Sequence, residues 1–209
     1  MVYRIGKIIA LMIGLEACLV MTGWFLGIDW LTRLSPAGIN MKFFTALIFL
    51  FSAAGFYFVI KLLATNDEAA RVILPGIALF VFLITVALFA TDIFSQQINS
   101  AAIFTRAQGG IDMFGAGLPS PLSALAFIIF GLVQMACLLP GGGRYRMLTS
   151  GGGLILLIGL TALIGYVVNQ PLLYYQFGPS AIPMALNTAL TFTLLGGGLV
   201  IITRQPQSL

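Results

Sequence analysis

Six apolar stretches dominate the chain, and each is close to the roughly 20 residues that a helix needs to cross a bilayer. They lie near residues 8–28, 42–63, 72–91, 121–139, 152–169 and 182–203. Hydrophobic residues make up 60% of the 209 residues, charged residues make up only 8%, and the mean hydropathy is +1.07. These values lie far from those of soluble globular proteins. The sequence therefore predicts an all-α integral membrane protein, a single domain of six transmembrane helices over residues 1–209.

The basic residues are distributed unevenly between the two sides of this arrangement. One side carries Arg4, Lys7, Lys61, Arg71, Arg144, Arg146 and Arg204, and the other carries Arg33, Lys42 and Arg106. Because cytoplasmic loops of membrane proteins are enriched in Lys and Arg, we expect both termini in the cytoplasm. The net charge of +4 then follows from the topology, and no nucleic-acid partner is predicted.

One short string occurs three times: Ser or Thr, then Ala, Leu, any residue and Phe. It occupies residues 45–49, 123–127 and 188–192, each time near the start of an even-numbered predicted span. Self-similarity at this scale is typical of a repeat architecture. We therefore expect three tandem helical hairpins, all in the same orientation, which disfavours an inverted-repeat transporter. The predicted repeats cover about 1–65, 66–145 and 146–209.

The hydroxyl residues of this string, Thr45, Ser123 and Thr188, allow two interpretations. Small residues and hydroxyls let membrane helices approach closely and bond to one another, which is a structural role. Alternatively, the three hydroxyls converge on a polar spot near the outer surface, where Asn187 precedes the third copy. Both interpretations stay open at the level of sequence.

Glu16 is the only acidic residue predicted well inside a span. Such groups are costly in lipid unless they are paired, protonated or facing a polar cavity. No other predicted span offers a charged residue at matching depth. Glu16 is therefore either a hydrogen-bonded carboxyl in the bundle interior or a contact for a ligand or partner.

Residues that could carry catalysis are scarce. The chain has no His, and its two Cys residues lie at different predicted depths, which removes the usual zinc, haem and iron sites and any His-based mechanism. The glycine strings 141–143 and 151–153 flank two arginines but match no phosphate-binding pattern, so we interpret them as part of a tight inner turn. We expect no enzyme activity, no catalytic residues, no metal and no cofactor held by protein ligands, while a bound lipid or quinone stays open.

One long loop is predicted on the outer side, over residues 92–120. Its apolar residues recur roughly at helical spacing, which favours a short helix on the membrane surface. Loops of this length are often functional. Phe94 and Phe104 are therefore candidates for contact with a ligand or partner.

Two parts of the chain resemble a known membrane region. They are residues 162–196, with Leu163-Ile164-Gly165-Tyr166 and Met184-Ala185-Leu186-Asn187-Thr188-Ala189-Leu190, and residues 24–49 of the first repeat. This region is the six-helix N-terminal part of many bacterial sensor histidine kinases and diguanylate cyclases. In that family the closing helix often carries His where this chain has Asn187, and a cytoplasmic output module follows, whereas this chain ends at Leu209.

The resemblance implies a sensor-like membrane module in the bacterial cytoplasmic (inner) membrane that acts through contacts with lipids, a lipophilic ligand or another membrane protein. An accessory or assembly subunit of a larger membrane complex is the alternative, because the chain has short tails and no output module. A small-solute transporter is a weaker alternative, since no broken helix pair or charged pathway is visible.

Overall fold

The described residues form helices and no strand. The computed structural model describes residues 2–34, 38–98, 118–139, 142–175 and 183–204, with the backbone alone over 92–98. Its helices are α1 (Val2–Leu26), α2 (Asp29–Thr32), α3 (Phe43–Thr65), α4 (Glu68–Ile98), α5 (Pro121–Ala136), α6 (Gly143–Val167) and α7 (Leu186–Thr203). A 3-10 turn at Pro171–Tyr174 lies between α6 and α7.

Five of these helices are long and apolar enough to cross a membrane, so the chain is a helical, multi-pass membrane protein. They are α1, α3, α4, α6 and α7. Helix α5 is equally apolar but has only 16 residues, which is short of the roughly 20 that a full crossing needs. The predicted total of six spans therefore stays a prediction.

The long helices alternate in direction, so the bundle has two distinct ends. Rings at Phe25 and Phe43 contact each other where α1 ends and α3 begins, and Tyr3 donates to the Leu63 carbonyl at the opposite ends of the same two helices. We call the end where α3, α5 and α7 begin the upper end, and the opposite end the lower end.

Helices α3, α5 and α7 lie at the centre of the bundle. Helix α1 packs against α3 and α7, α4 against α3 and α5, and α6 against α5 and α7. Within an apolar 18-residue segment of each helix, 61% of the residues in α3 and 56% of those in α7 are buried. The corresponding shares in α1, α4 and α6 are 33%, 22% and 39%. The central helices therefore carry the core, and the peripheral ones present leucine-rich faces outward.

The phenylalanines of the repeated string meet at the centre. Phe49, Phe127 and Phe192 come from α3, α5 and α7, and all three are fully buried. Their ring centroids lie 4.7, 4.7 and 4.8 Å apart, with interplanar angles of 56 to 66°. Tilted and edge-on arrangements at this distance are favourable for aromatic pairs. The three copies thus occupy equivalent places around one central axis.

Helices α6 and α7 approach each other through glycines. A Cβ atom added to Gly196 would lie 2.3 Å from the backbone nitrogen of Leu156, and one added to Gly159 would lie 2.7 Å from the backbone nitrogen of Thr193. Only a residue without a side chain fits at such distances. Close backbone approach of this kind strengthens van der Waals packing between membrane helices, where lipid removes the hydrophobic driving force.

Helix α4 continues to Ile98, so the segment predicted as an outer loop over 92–120 begins within this helix, and its place between two spans stays a prediction. One prediction about local structure was wrong. Residues 151–153 are not part of an inter-helix turn, because α6 begins at Gly143 and carries them in its third helical turn. There Gly151 faces Val133 of α5 and Gly152 faces Leu199 of α7, so these glycines are helix contacts.

Asp67 caps the start of α4 at the lower end. Its carboxylate accepts the backbone N–H of Ala70 at 2.8 Å and lies 3.1 Å from the Lys61 ammonium. The Ala70 N–H, and after it Lys61, lower the pKa of Asp67 below its ordinary value. A lowered pKa means that the folded state stabilises the ionised carboxylate relative to the unfolded state.

The glycine contact between α6 and α7 predicts a difference between neighbouring substitutions. Gly196→Ala places a methyl group on the Leu156 backbone, and overpacking of this kind costs about 1–3 kcal/mol. Gly197→Ala is the matched control, because its Cβ would meet nothing closer than 3.9 Å. SDS titration of the detergent-solubilised protein measures both. Equal midpoints for the two variants would contradict the contact.

The Asp67 cap predicts a pH-dependent contribution to stability. Asp67→Ala removes the cap and the ion pair, whereas Asp67→Asn keeps a capping oxygen and removes only the charge. We expect the SDS midpoint to fall in the order wild type, Asn, Ala at neutral pH. Because the folded pKa is lowered, the advantage of wild type over Asn should be complete above about pH 4 and disappear at lower pH. A constant difference down to strongly acidic pH would contradict this assignment.

Candidate functional site

A cavity of about 530 Å³ opens near the upper end between α1, α2 and α7. We call it the α1–α2–α7 cavity. Its lining consists of Glu16, Leu19, Val20, Trp30, Leu31, Arg33, Leu34 and Asn187. It therefore combines a carboxyl, a guanidinium and an amide with apolar and aromatic walls.

A reversal of the chain after α1 builds one wall of this cavity. Gly27 has φ +67°, a left-handed conformation that glycine adopts at little cost. Residues 28–34, which we call the folded-back segment, turn back along α1. As a result, a Cβ on Gly23 would lie 2.7 Å from the Leu31 Cβ. Arg33 is thereby brought beside the interior of the bundle, although it lies outside every apolar stretch.

Asn187 connects this folded-back segment to α7. Its Nδ2 donates to the carbonyl of Thr32 at 3.2 Å, and its Oδ1 accepts the backbone N–H of Thr188 at 3.2 Å. The Thr32 carbonyl also accepts the backbone N–H of Met41 at 2.7 Å. The first turn of α7, the reversal and the start of α3 are therefore held together by polar groups.

Glu16 bonds across the helix interface to Thr191. The Oγ1 atom of Thr191 lies 2.5 Å from Glu16 Oε2 and 2.8 Å from the backbone carbonyl of Asn187. Glu16 makes no ion pair with any residue that the structure describes, whereas Arg33 lies 3.6 Å from Asp29. The carboxyl is thus hydrogen-bonded on one oxygen and opens onto the cavity without a cationic partner.

The predicted site residues separate into two groups. Glu16 and Asn187 line one cavity, as a ligand-contact role requires. Thr45, Ser123 and Thr188 are buried, with exposed fractions of 2%, 1% and 2%. Each lies four residues before Phe49, Phe127 or Phe192 on its own helix, and therefore one turn above that phenylalanine on the same helix face. The three hydroxyls surround the central axis and do not line the cavity.

The two phenylalanines predicted from the long loop cannot be placed at either site. Phe94 lies on α4, but only its backbone is described, and Phe104 lies outside the described residues. Their role stays a prediction.

Three members of the site were missed by sequence reasoning. Trp30 and Arg33 follow the first apolar stretch; Arg33 entered the sequence analysis only as a topology residue, and neither Trp30 nor Thr191 was assigned a role there. Thr191 lies four residues after Asn187 on a helix, which is a detectable signal for a shared face. Nothing in the spacing indicates the reversal that brings Arg33 toward Glu16.

Another buried polar residue, Gln134, lies apart from both groups. Gln134 of α5 is fully buried, and its side-chain amide has no hydrogen-bond partner within the described part of the chain. A Cβ on Gly55 would lie 2.4 Å from Gln134 Oε1, so this glycine provides the space for the amide. Gly55 of α3 therefore accommodates the Gln134 side chain of α5.

Comparisons with protein-family models, curated proteins and solved structures find no match for this chain. The resemblance to sensor membrane regions therefore stays a prediction from the sequence. Among the described residues, no group of three or more His, Cys, Asp or Glu side chains is placed to hold a metal ion.

The polar connection at the cavity predicts different effects for two neighbouring substitutions. Asn187→Leu removes the donor to Thr32 and should cost about 1 kcal/mol in unfolding free energy. Thr188→Val replaces a hydroxyl for which the described residues supply no partner, so its effect should be within about 0.5 kcal/mol of wild type. SDS titration compares the two. If Thr188→Val were the more destabilising, the Thr188 hydroxyl would form a stabilising contact and the prediction would be wrong.

Proposed function

We propose that the protein is a non-enzymatic, sensor-like membrane module that binds a lipophilic ligand in the α1–α2–α7 cavity. The observation that carries this proposal is Glu16, a carboxyl inside a membrane helix that opens onto a cavity also lined by Arg33 and Asn187. Ionisable groups within membrane helices are costly and rare, and they typically mark substrate, ion or proton pathways.

The dimensions of the cavity support a small-molecule ligand. A volume of about 530 Å³ lies within the range of roughly 300–1,000 Å³ typical of ligand pockets. Such pockets combine mostly apolar walls with a few polar groups that orient the ligand. Leu19, Val20 and Leu31 supply the walls, while Glu16 and Asn187 supply the polar groups.

A ligand here would act on helices that run the length of the bundle. Glu16 and Asn187 belong to α1 and α7, which also contact each other near the lower end, where a Cβ on Gly6 would lie 3.0 Å from Ile202 Cγ2. A ligand that binds one arrangement of α1 and α7 better than another shifts the population between them. That shift would reach a partner protein at the lower end.

The distribution of charge supports the proposed orientation. The basic residues Arg4, Lys7, Lys61, Arg71, Arg144, Arg146 and Arg204 all lie toward the lower end of the helices. By the positive-inside rule this end, with both termini, faces the cytoplasm of a bacterial inner membrane. We further propose that all six apolar helices cross the bilayer as three tandem hairpins, with α5 as the shortest span.

Filling the cavity tests the proposed function. Leu19→Trp adds a large ring to the cavity wall, whereas Met12→Trp adds the same ring to an outward position of α1 that does not line the cavity. Protein purified in mild detergent from native membranes is analysed by native mass spectrometry. We expect a stoichiometric amphiphile on wild type and Met12→Trp, and its loss from Leu19→Trp.

Two other results would contradict this function. If neither the wild type nor either variant carries a ligand, the cavity is not a binding site. If the wild type and both variants instead purify with the same large membrane complex and no ligand, the protein is an accessory subunit of that complex.

A further inference from the structure

The Thr191 hydroxyl has too few protons to donate to both of its neighbouring oxygens if Glu16 is ionised. The Thr191 hydroxyl has a single proton, yet its oxygen lies 2.5 Å from Glu16 Oε2 and 2.8 Å from the carbonyl of Asn187. A backbone carbonyl can only accept. If Glu16 is ionised, both neighbours compete for one proton. If Glu16 is protonated, its O–H donates to Thr191 and the Thr191 hydroxyl donates to Asn187, so that both contacts are satisfied.

An ionised Glu16 would have no positively charged partner within ion-pair distance among the described residues. Arg33 also lines the cavity, but its guanidinium lies 3.6 Å from the carboxylate of Asp29. Helix α7 carries no charged residue over Leu186–Thr203. On α3, Lys61 lies at the lower end and is paired with Asp67, and Lys42, just before α3, is not among the lining residues. A cationic ligand would therefore supply the partner that an ionised Glu16 lacks.

The walls of the cavity select the kind of cation. A small inorganic cation such as Na⁺ or Ca²⁺ requires several oxygen ligands, and of the described polar groups Asn187 Oδ1 already accepts the Thr188 N–H. Leucine and valine side chains line the same cavity as the carboxyl, and Trp30 contributes to its wall. Aromatic faces attract weakly hydrated organic cations. The cavity is therefore matched to a positive charge on an apolar body.

We propose that the α1–α2–α7 cavity binds a lipophilic organic monocation, a quaternary ammonium, phosphonium or protonated amine, in exchange for a proton on Glu16. This inference deepens the proposed function and rests on it. In the empty state the Glu16 carboxyl holds its proton and donates to Thr191. When the cation enters, the proton leaves to water, the Thr191 hydroxyl turns to Glu16, and the carboxylate pairs with the cation. One positive charge replaces another, so the net charge of the site is unchanged.

Tetraphenylphosphonium is a suitable probe, and its binding to the purified full chain in neutral-lipid nanodiscs can be measured by equilibrium dialysis at pH 6, 7 and 8. Because one cation competes with one proton, affinity should rise by up to about tenfold per pH unit while Glu16 is protonated. Binding in weakly buffered solution should release up to one proton per cation. Tetraphenylborate, which has the same shape and the opposite charge, should bind at least tenfold more weakly.

Glu16→Gln provides the decisive comparison. The glutamine amide can donate to Thr191 as the protonated carboxyl does, so this variant should fold like wild type, which SDS titration checks. We expect its phosphonium affinity to fall at least tenfold and to become independent of pH. Glu68→Gln removes an exposed carboxylate at the lower end and should bind like wild type.

Several outcomes would overturn the inference. They are phosphonium binding that does not change with pH, equal binding by Glu16→Gln, or equal binding of tetraphenylborate. Failure of the ligand class and failure of the proposed function are distinguishable. If wild type retains a native amphiphile that Leu19→Trp loses, but no phosphonium binds, only the ligand class is wrong. If neither the amphiphile nor the phosphonium binds, the cavity is not a ligand site and both proposals fail.

Discussion

Close packing of the three central helices is the interaction on which the rest of the structure depends. In lipid the hydrophobic effect does not favour contact between two apolar helices, so shape and polar contacts must hold them together. Phe49, Phe127 and Phe192 provide that contact with centroid separations of 4.7 to 4.8 Å. Each peripheral helix then packs in the groove between two central ones. Removal of one ring would therefore loosen the frame on which the cavity is built.

The cavity lies where this threefold pattern is interrupted. Helix α1 packs directly against α7 near the lower end, at Gly6 and Ile202, whereas near the upper end the two helices border the cavity and are joined through Glu16 and Thr191. Helices α6 and α7 show the opposite arrangement, since glycines bring their backbones together and leave little space. Glu16, Asn187 and Thr191 thus lie at an interface that a cavity partly opens.

The proposed function gives this interface a physical route from ligand to response. In the proposed exchange, the Thr191 hydroxyl has one hydrogen-bond arrangement with a protonated Glu16 and another with an ionised one. Because the network joins α1 to the first turns of α7, a change in it alters how these helices meet. Such a two-state element is what a sensor requires. It would also suit an accessory subunit whose assembly depends on the proton or on a lipophilic cation.

The sequence by itself determined the apolar helices, the repeated string and the exceptional position of Glu16, because these depend on residue type and on local spacing along one chain. Helices α4 and α6 extend beyond the apolar stretches at 72–91 and 152–169, because charged residues and glycines can end an apolar stretch without ending a helix. Only the tertiary structure placed Arg33 on the same cavity as Glu16, since this depends on the reversal at Gly27 and on the bond from Asn187 to Thr32. It also decided that the three hydroxyls surround the aromatic axis while Glu16 lies apart from them. Contacts between helices depend on how each is rotated about its axis, and that rotation is determined by all its neighbours together.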